Sequence, residues 1–227
     1  FGLLGMQKAG KTRLLETLIG LKPYDEGDFY LWDGERKEFG LSAECNNNAG
    51  ERVARIKRLQ GMVLCPARNC VEPEMSTKQA LLLWASIRQV PKDEVWSEIR
   101  RIASLFKIDY MLEKRGKQMS YFEARLLTLA MSFIGNPTVV LLDGPTSRLA
   151  DAQRRAVWNI LLAVRRAYRQ CTIVLATSES SEIEALCDRV AVLIRGNFVF
   201  VGPAVTLRRS HSGKGIQMTV KVSVLLS

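Results

Sequence analysis

The sequence is short of the features that mark several protein classes. It holds one histidine among 227 residues. That residue, His211, sits in the polar stretch Ser210-His211-Ser212-Gly213, and no catalytic role is expected of it. The five cysteines, Cys45, Cys65, Cys70, Cys171 and Cys187, are odd in number and lack metal-ligand spacing. They read as free cytosolic thiols rather than a disulfide framework or a zinc centre. No apolar run approaches the ~20 residues that cross a bilayer, and no signal peptide is visible. Acidic residues are outnumbered, 23 against 33 basic, for a formal charge of +10. An anionic membrane face or nucleic acid would suit such a charge. The basic residues are dispersed, however, apart from pairs such as Arg165-Arg166 and Arg208-Arg209, and dispersal favours a solvated surface. Disorder is excluded, because 47% of the residues are hydrophobic. The chain starts at Phe1, already inside an apolar strand-like run, and is therefore expected to be a piece of a longer protein.

What the sequence does have is a complete phosphate-binding loop, Gly5-Met6-Gln7-Lys8-Ala9-Gly10-Lys11-Thr12. The glycines let the backbone turn tightly and bring N–H groups close to a polyphosphate. Lys11 is placed to reach the β and γ phosphates, and the Thr12 hydroxyl to ligate Mg²⁺. The context fits. Phe1-Gly2-Leu3-Leu4 reads as a buried strand, and Leu14, Leu15, Leu18, Ile19 and Leu21 recur at helical spacing after the loop. A helix starting there aims its positive end at the phosphates.

Strands and helices alternate along the chain, with one interruption. Phe29-Tyr30-Leu31-Trp32 predicts a short strand ending at Asp33-Gly34, residues 40 to 50 a loop, and Met62 to Cys65 a strand stopped by Pro66. Residues 76 to 135 read as nearly all helix: one capped by Thr77, one over Lys92 to Phe106, one over Ser120 to Ile134. Trp84, Trp96 and Trp158 fall at core-like helical positions. Alternation then resumes, with strands at Val139 to Leu142, Ile173 to Ala176, Val190 to Ile194 and Phe198 to Val201, and helices at about 151 to 169 and through Leu186. This predicts an α/β fold with a mainly parallel sheet. Val139-Val140-Leu141-Leu142-Asp143 is a buried-strand pattern that delivers an acid at its end, where it can hold the Mg²⁺ shell of a nucleotide bound at the loop roughly 130 residues upstream.

At these residues the chain resembles the nucleotide-binding domain of ATP-binding cassette (ABC) transporters over its whole length. Leu141-Leu142-Asp143-Gly144-Pro145-Thr146-Ser147 is similar to the family's strand and loop, normally Leu-Leu-Asp-Glu-Pro-Thr-Ser. Ile134 to Pro137, Glu184 to Ala191, Gly202-Pro203 and Met218 to Val222 look most like subfamily A, the lipid-exporter branch. The resemblance implies a RecA-like phosphate-loop core with an antiparallel β edge and an inserted helical subdomain. Residues 1–75 and 136–227 would form the core, and 76–135 the subdomain. It implies ATP and Mg²⁺ as cofactors, held by Gly5 to Thr12 and by Thr12 with Asp143. The implied partners are a second nucleotide-binding domain and the transmembrane domains, with no nucleic acid, on the cytoplasmic face of a membrane.

Several family positions are changed. The catalytic Glu position holds Gly144, which has no side chain to polarise water. The switch His falls on Glu179, a carboxylate that would repel a γ-phosphate unless protonated or turned away. The lid Gln is Ala67. The signature, usually Ser-Gly-Gly-Gln, is Ser120-Tyr121-Phe122-Glu123, whose two rings would obstruct a partner's ATP. The Asp of the dimer loop falls on Ala150, beside Asp151, and a usual loop glycine is Lys8. With Lys11, Thr12 and Asp143 kept, the expectation is a degenerate site that binds nucleotide and hydrolyses it poorly. Two other readings stand beside it: a scaffold without nucleotide, and a soluble ABC-type ATPase acting on nucleic acid or ribosomes.

Overall fold

The strand that ends in Asp143 shows how the chain is layered. In β5 (Val139–Asp143) all five residues are buried. Val139 and Leu141 face one hydrophobic cluster, and Val140 and Leu142 face another. A strand buried on both faces belongs to a parallel sheet covered by helices on both sides. The chain, a computed structural model, is described over residues 1–23, 29–31, 39–41 and 61–205. His211, Arg208-Arg209, Cys45, Trp32, the 46–50 stretch and the 218–222 run lie outside the described residues.

The six-stranded sheet has the order β4-β5-β6-β1-β7-β8. It uses β1 (Gly2–Leu4), β4 (Met62–Cys65), β5, β6 (Thr172–Thr177), β7 (Arg189–Ile194) and β8 (Asn197–Pro203). All its pairings are parallel except that of β8 with β7, which gives the expected antiparallel edge. A separate antiparallel pair joins β2 (Phe29–Leu31) to β3 (Phe39–Leu41). Residues 40 and 41 are therefore strand, where the sequence predicted loop: Phe39 and Leu41 flank Gly40 in an alternation too short to stand out.

Helix α1 (Lys11–Leu18) covers one face through Leu15, with Ile19 just after it. The other face carries α5 (Asp151–Ala167) and α6 (Ser180–Leu186) through Val157, Ile160, Leu161 and Ile183. Between β4 and β5 run α2 (Thr77–Ile87), α3 (Val95–Phe106) and α4 (Tyr121–Met131), with two single 3₁₀ turns before α4. Their buried residues join the same cluster as α5 and the sheet. Each fully buried Leu, Ile or Phe there contributes ~1.5–3 kcal/mol.

Local chemistry sets the boundaries. Ser76, not Thr77, caps α2: its hydroxyl accepts from Gln79 N at 3.2 Å, and the Gln79 carboxamide accepts from Ser76 N at 2.9 Å. The capping box outranks a lone threonine because it satisfies two free N–H groups at once. Helix α3 starts at Val95, later than the predicted Lys92, because Pro91 and the turn after it precede it. Helix α4 ends at Met131 rather than Ile134. Trp96 is a further correction. It is 47% exposed, with the Lys78 ammonium 5.2 Å from its ring centre.

Candidate functional site

The phosphate loop is shaped by what β1 lies between. β1 pairs with β6 on one side and β7 on the other. Gly5 N then donates to Thr177 O at 3.2 Å, which ties the first loop residue to the end of β6. A Cβ on Gly5 would stand 2.6 Å from Leu193 O, so the close passage of β7 admits only glycine. Ala9 is buried, and Met6, Gln7 and Lys8 are exposed. Gly10 has φ +105° and starts α1 with no side-chain cap and no acid in its first turn. That helix end keeps its N–H groups and its partial positive charge available.

Lys8 also lies in the left-handed region, at φ +64°. Its exposed side chain leaves the cradle clear, at a strain of about 1–2 kcal/mol for a residue with a Cβ. Lys11 Nζ donates to Gly5 O at 2.6 Å and Met6 O at 2.9 Å. Partial burial lowers the pKa of its ammonium, while the Asp143 carboxylate raises it; the net shift is downward. Thr12 Oγ1 donates to Asp143 Oδ2 at 2.8 Å across 131 positions of sequence. The hydroxyl and the carboxylate named from sequence are thus brought together.

On the far side of Asp143 the chemistry thins out. Gly144 has φ +48°. A Cβ there would meet Ser147 Oγ at 3.4 Å and Ala67 Cβ at 3.9 Å. The two positions where the resemblance implies a Glu and a Gln, held here by Gly144 and Ala67, therefore lie side by side. The residues after β6, Ser178 and Glu179, carry a hydroxyl and a carboxylate and offer no imidazole. Glu179 is turned toward Arg154, 3.8 Å away, so its charge is partly answered.

The start of α4 is closed by its own side chains. Ser120 Oγ accepts from Glu123 N at 3.2 Å, and Glu123 Oε2 accepts from Ser120 N at 2.8 Å. Lys114 Nζ donates to both Glu123 oxygens at 2.8 Å, and Tyr110 OH to one at 3.3 Å. Burial pushes this carboxyl up, but Lys114 and the Ser120 N–H and hydroxyl outweigh it and hold the pKa at about 2. The two aromatic residues diverge. Phe122 packs against the main cluster. Tyr121 stays 40% exposed and reaches Ser147 O at 3.4 Å.

Arg125 escaped the sequence reading. It is fully buried. Its guanidinium donates to Pro145 O at 2.8 Å, Pro66 O at 2.7 Å, and Asp143 O and Gly144 O at 3.3 Å each. It fastens α4 to the ends of β4 and β5. A signal was present: Arg125 is the one charged residue in the stretch 124–142. Among the described residues no group of three or more His, Cys, Asp or Glu gathers as a metal site. No described helix is long and apolar enough to cross a membrane.

A parallel sheet with an uncapped helix and a phosphate loop after its central strand places the chain among the RecA-like phosphate-loop proteins. The family model described as ABC transporter matches residues 1–147, and the chain belongs to that family. The relatives are subfamily A members. ATP-binding cassette sub-family A member 17 of Rattus norvegicus is 29% identical over 222 residues, 98% of this chain and 12% of that protein. Sub-family A member 13 of Homo sapiens is 30% identical over 220 residues, 96% of this chain and 4% of that protein. Retinal-specific phospholipid-transporting ATPase ABCA4 of Homo sapiens is 29% identical over 222 residues, 98% of this chain and 9% of that protein. The chain thus spans about an eighth or less of these three relatives. Among solved structures, cbiO1 from Clostridium perfringens, part of the ABC transporter complex cbiONQ, shares the fold. Its TM-score is 0.72 at 19% identity, over 92% of this chain and 78% of that one.

Proposed function

We propose that this cassette is a degenerate, Mg-ATP-holding half of a lipid-type transporter, clamping with a second cassette on the cytoplasmic face of a membrane. The observation that carries the reading is the 2.8 Å bond between Thr12 and Asp143 beside an uncapped helix N-terminus. The donor set fits the group: a hydroxyl and a carboxylate are the oxygen ligands that Mg²⁺ takes, and a lysine and free N–H groups suit a polyphosphate. Bound magnesium would neutralise phosphate charge there. The names of the relatives support the transport reading. The division into a core of 1–75 and 136–227 and a helical unit of 76–135 belongs to the same proposal. So does docking of that unit on a membrane-domain helix.

Slow hydrolysis follows from Gly144, since a positioned base contributes typically 10²–10⁴-fold. Calorimetry tests binding. The chain is expected to bind Mg-ATP, and Lys11→Ala to weaken it by tenfold or more. Equal heats for both would defeat the assignment and leave the scaffold reading. Turnover tests the degeneracy. The isolated chain is expected to hydrolyse ATP very slowly, and Gly144→Glu not to restore it. At φ +48° a glutamate is strained, and no imidazole follows β6. Brisk turnover by the unmodified chain, abolished by Lys11→Ala, would overturn this.

A further inference from the structure

Behind the phosphate loop lies a carboxyl group that the nucleotide reading does not use. Glu182, on α6, is 1% exposed. Its Oε1 accepts from Thr146 Oγ1 at 2.7 Å and from Trp158 Nε1 at 3.3 Å. Among the described residues its Oε2 and Arg154 Nε make no well-aligned hydrogen bond, although the Thr177 hydroxyl lies close enough to act on the carboxyl as a hydrogen-bond partner. Burial drives the carboxyl's pKa up; Thr177, Thr146, Trp158 and Arg154 pull it back without cancelling the rise.

The partners are placed at both halves of the site. Thr146 lies three residues beyond Asp143 and is itself 2% exposed. Thr177 ends β6, its carbonyl holds Gly5 N, and its hydroxyl accepts from Glu179 N at 3.1 Å. Asp143 is paired in register with Ala176, and Gly144 N donates to Ala176 O at 2.8 Å. One buried side chain therefore touches the loop that leaves the acid and sits against the strand end that anchors the phosphate loop.

We propose that Glu182 is a positioning residue of the nucleotide site, holding the loop after Asp143 against the end of β6 so that the acid meets the metal of a bound nucleotide. This rests on the Mg-ATP reading above. A carboxamide has nearly the size of a carboxylate and keeps one oxygen, so Glu182→Gln preserves an acceptor for Thr146 and Trp158. Glu182→Leu removes it. Thr146→Val removes one donor with little change of volume.

The test is Mg-ATP binding by calorimetry at several Mg²⁺ concentrations, beside Lys11→Ala and with folding checked by circular dichroism. Glu182→Leu and Thr146→Val are expected to weaken Mg-ATP binding by about tenfold, the range for losing a group that orients a metal ligand. ATP without Mg²⁺ should bind them nearly as it binds wild type, and Glu182→Gln should restore Mg-ATP affinity to within about threefold of wild type, well below that loss. In protein labelled with 5-fluorotryptophan, the Trp158 resonance, assigned with Trp158→Phe, should shift on adding Mg-ATP to wild type but not to Thr146→Val. If Glu182→Leu fails to fold, Thr146→Val carries the decision. Unchanged Mg-ATP affinity in folded Thr146→Val overturns the proposal while the Lys11→Ala loss keeps the nucleotide reading. A wild type that binds no Mg-ATP overturns both.

Discussion

Helices α1 and α4 both begin at loops of the candidate site, and they treat their first turns in opposite ways. Helix α1 starts at Gly10 with no capping side chain and no acid. Helix α4 starts at Ser120 with a reciprocal Ser120–Glu123 box, and Lys114 is clamped onto the acid. A helix N-terminus carries about half a positive charge and up to four N–H groups without helical partners. Left bare, it attracts an external anion. Given an internal carboxylate, it is already occupied. The two ends thus differ in backbone and in side chains: Gly10 is left-handed and leaves its helix bare, as the proposed phosphate site requires, whereas Ser120 is extended and its helix start is filled by the chain's own residues.

Arg125 ties α4 to the strand ends that carry Asp143, the residue bonded to Thr12 of α1, so removing it is the harshest test of the comparison. Arg125→Ala strips the donor from four carbonyls and empties a fully buried volume. The expected loss is about 3–5 kcal/mol, the range for large buried truncations and for broken buried charge networks. Urea denaturation reads it directly. Arg125→Lys should recover only part of the loss, because an ammonium lacks the planar fork that spans Pro66 and Pro145. A loss below ~1 kcal/mol, the worth of a single ordinary hydrogen bond, would mean that α4 is held by apolar packing alone.

The next test addresses the receptor itself. Lys11→Ala should cost ~1.5–3 kcal/mol of Mg-ATP binding, the worth of a charge-assisted contact. Glu123→Gln should leave that binding unchanged. If both variants bind more weakly, the start of α4 takes part in this chain's own nucleotide site and the contrast fails. If only Lys11→Ala does, the two ends are functionally separate.

The loop residues and their acid were legible because each obeys a local rule. The glycine spacing needs no tertiary context, and an apolar run closing on Asp143 announces a strand end. The layered α/β fold followed from the same periodicity. What stayed hidden was side-chain direction. Nothing local says that Phe122 turns into the core while Tyr121 stays out, or that Glu123 is consumed by Lys114 and Tyr110. Glu182 and Arg125 were missed for a related reason. Arg125 stands alone in an apolar run, which signals burial, whereas Glu182 lies in the polar helix Ser180–Leu186 and gives no such signal; the partners of both are groups that only the fold assembles.

A smaller effect is expected at the closed end. With the folded pKa of Glu123 at about 2, below its usual 4.5, its contribution is fully present above pH 4.5 and is lost as pH falls through about 2. Glu123→Gln keeps the box, since a carboxamide can still accept from Ser120 N, but it loses the charge that strengthens the Lys114 bonds and should therefore lower stability near neutral pH by about 1 kcal/mol. It should also flatten the stability profile between pH 4.5 and 2. Thermal melts across that range decide it. A variant that loses stability with acid as steeply as wild type would place the acid-sensitive group elsewhere.

The smallest effect belongs to the open end. Lys8 holds φ +64°, a conformation that glycine reaches freely and that a residue with a Cβ resists. Lys8→Gly relieves that strain, but glycine also gains freedom in the unfolded chain, which offsets part of the benefit. The net gain should be about 0.5 kcal/mol, or roughly 1–2 °C in melting temperature for a domain of this size. The exposed ammonium is then the only other thing lost. If Mg-ATP binds the variant as it binds wild type, the lysine is a tolerated substitution and the receptor consists of backbone, Lys11, Thr12 and Asp143. A several-fold loss that fades as salt is raised would instead make Lys8 a second cation of the receptor. The open end would then have strengthened its hold on an anion, at a cost in backbone strain, while the other end gave its own up.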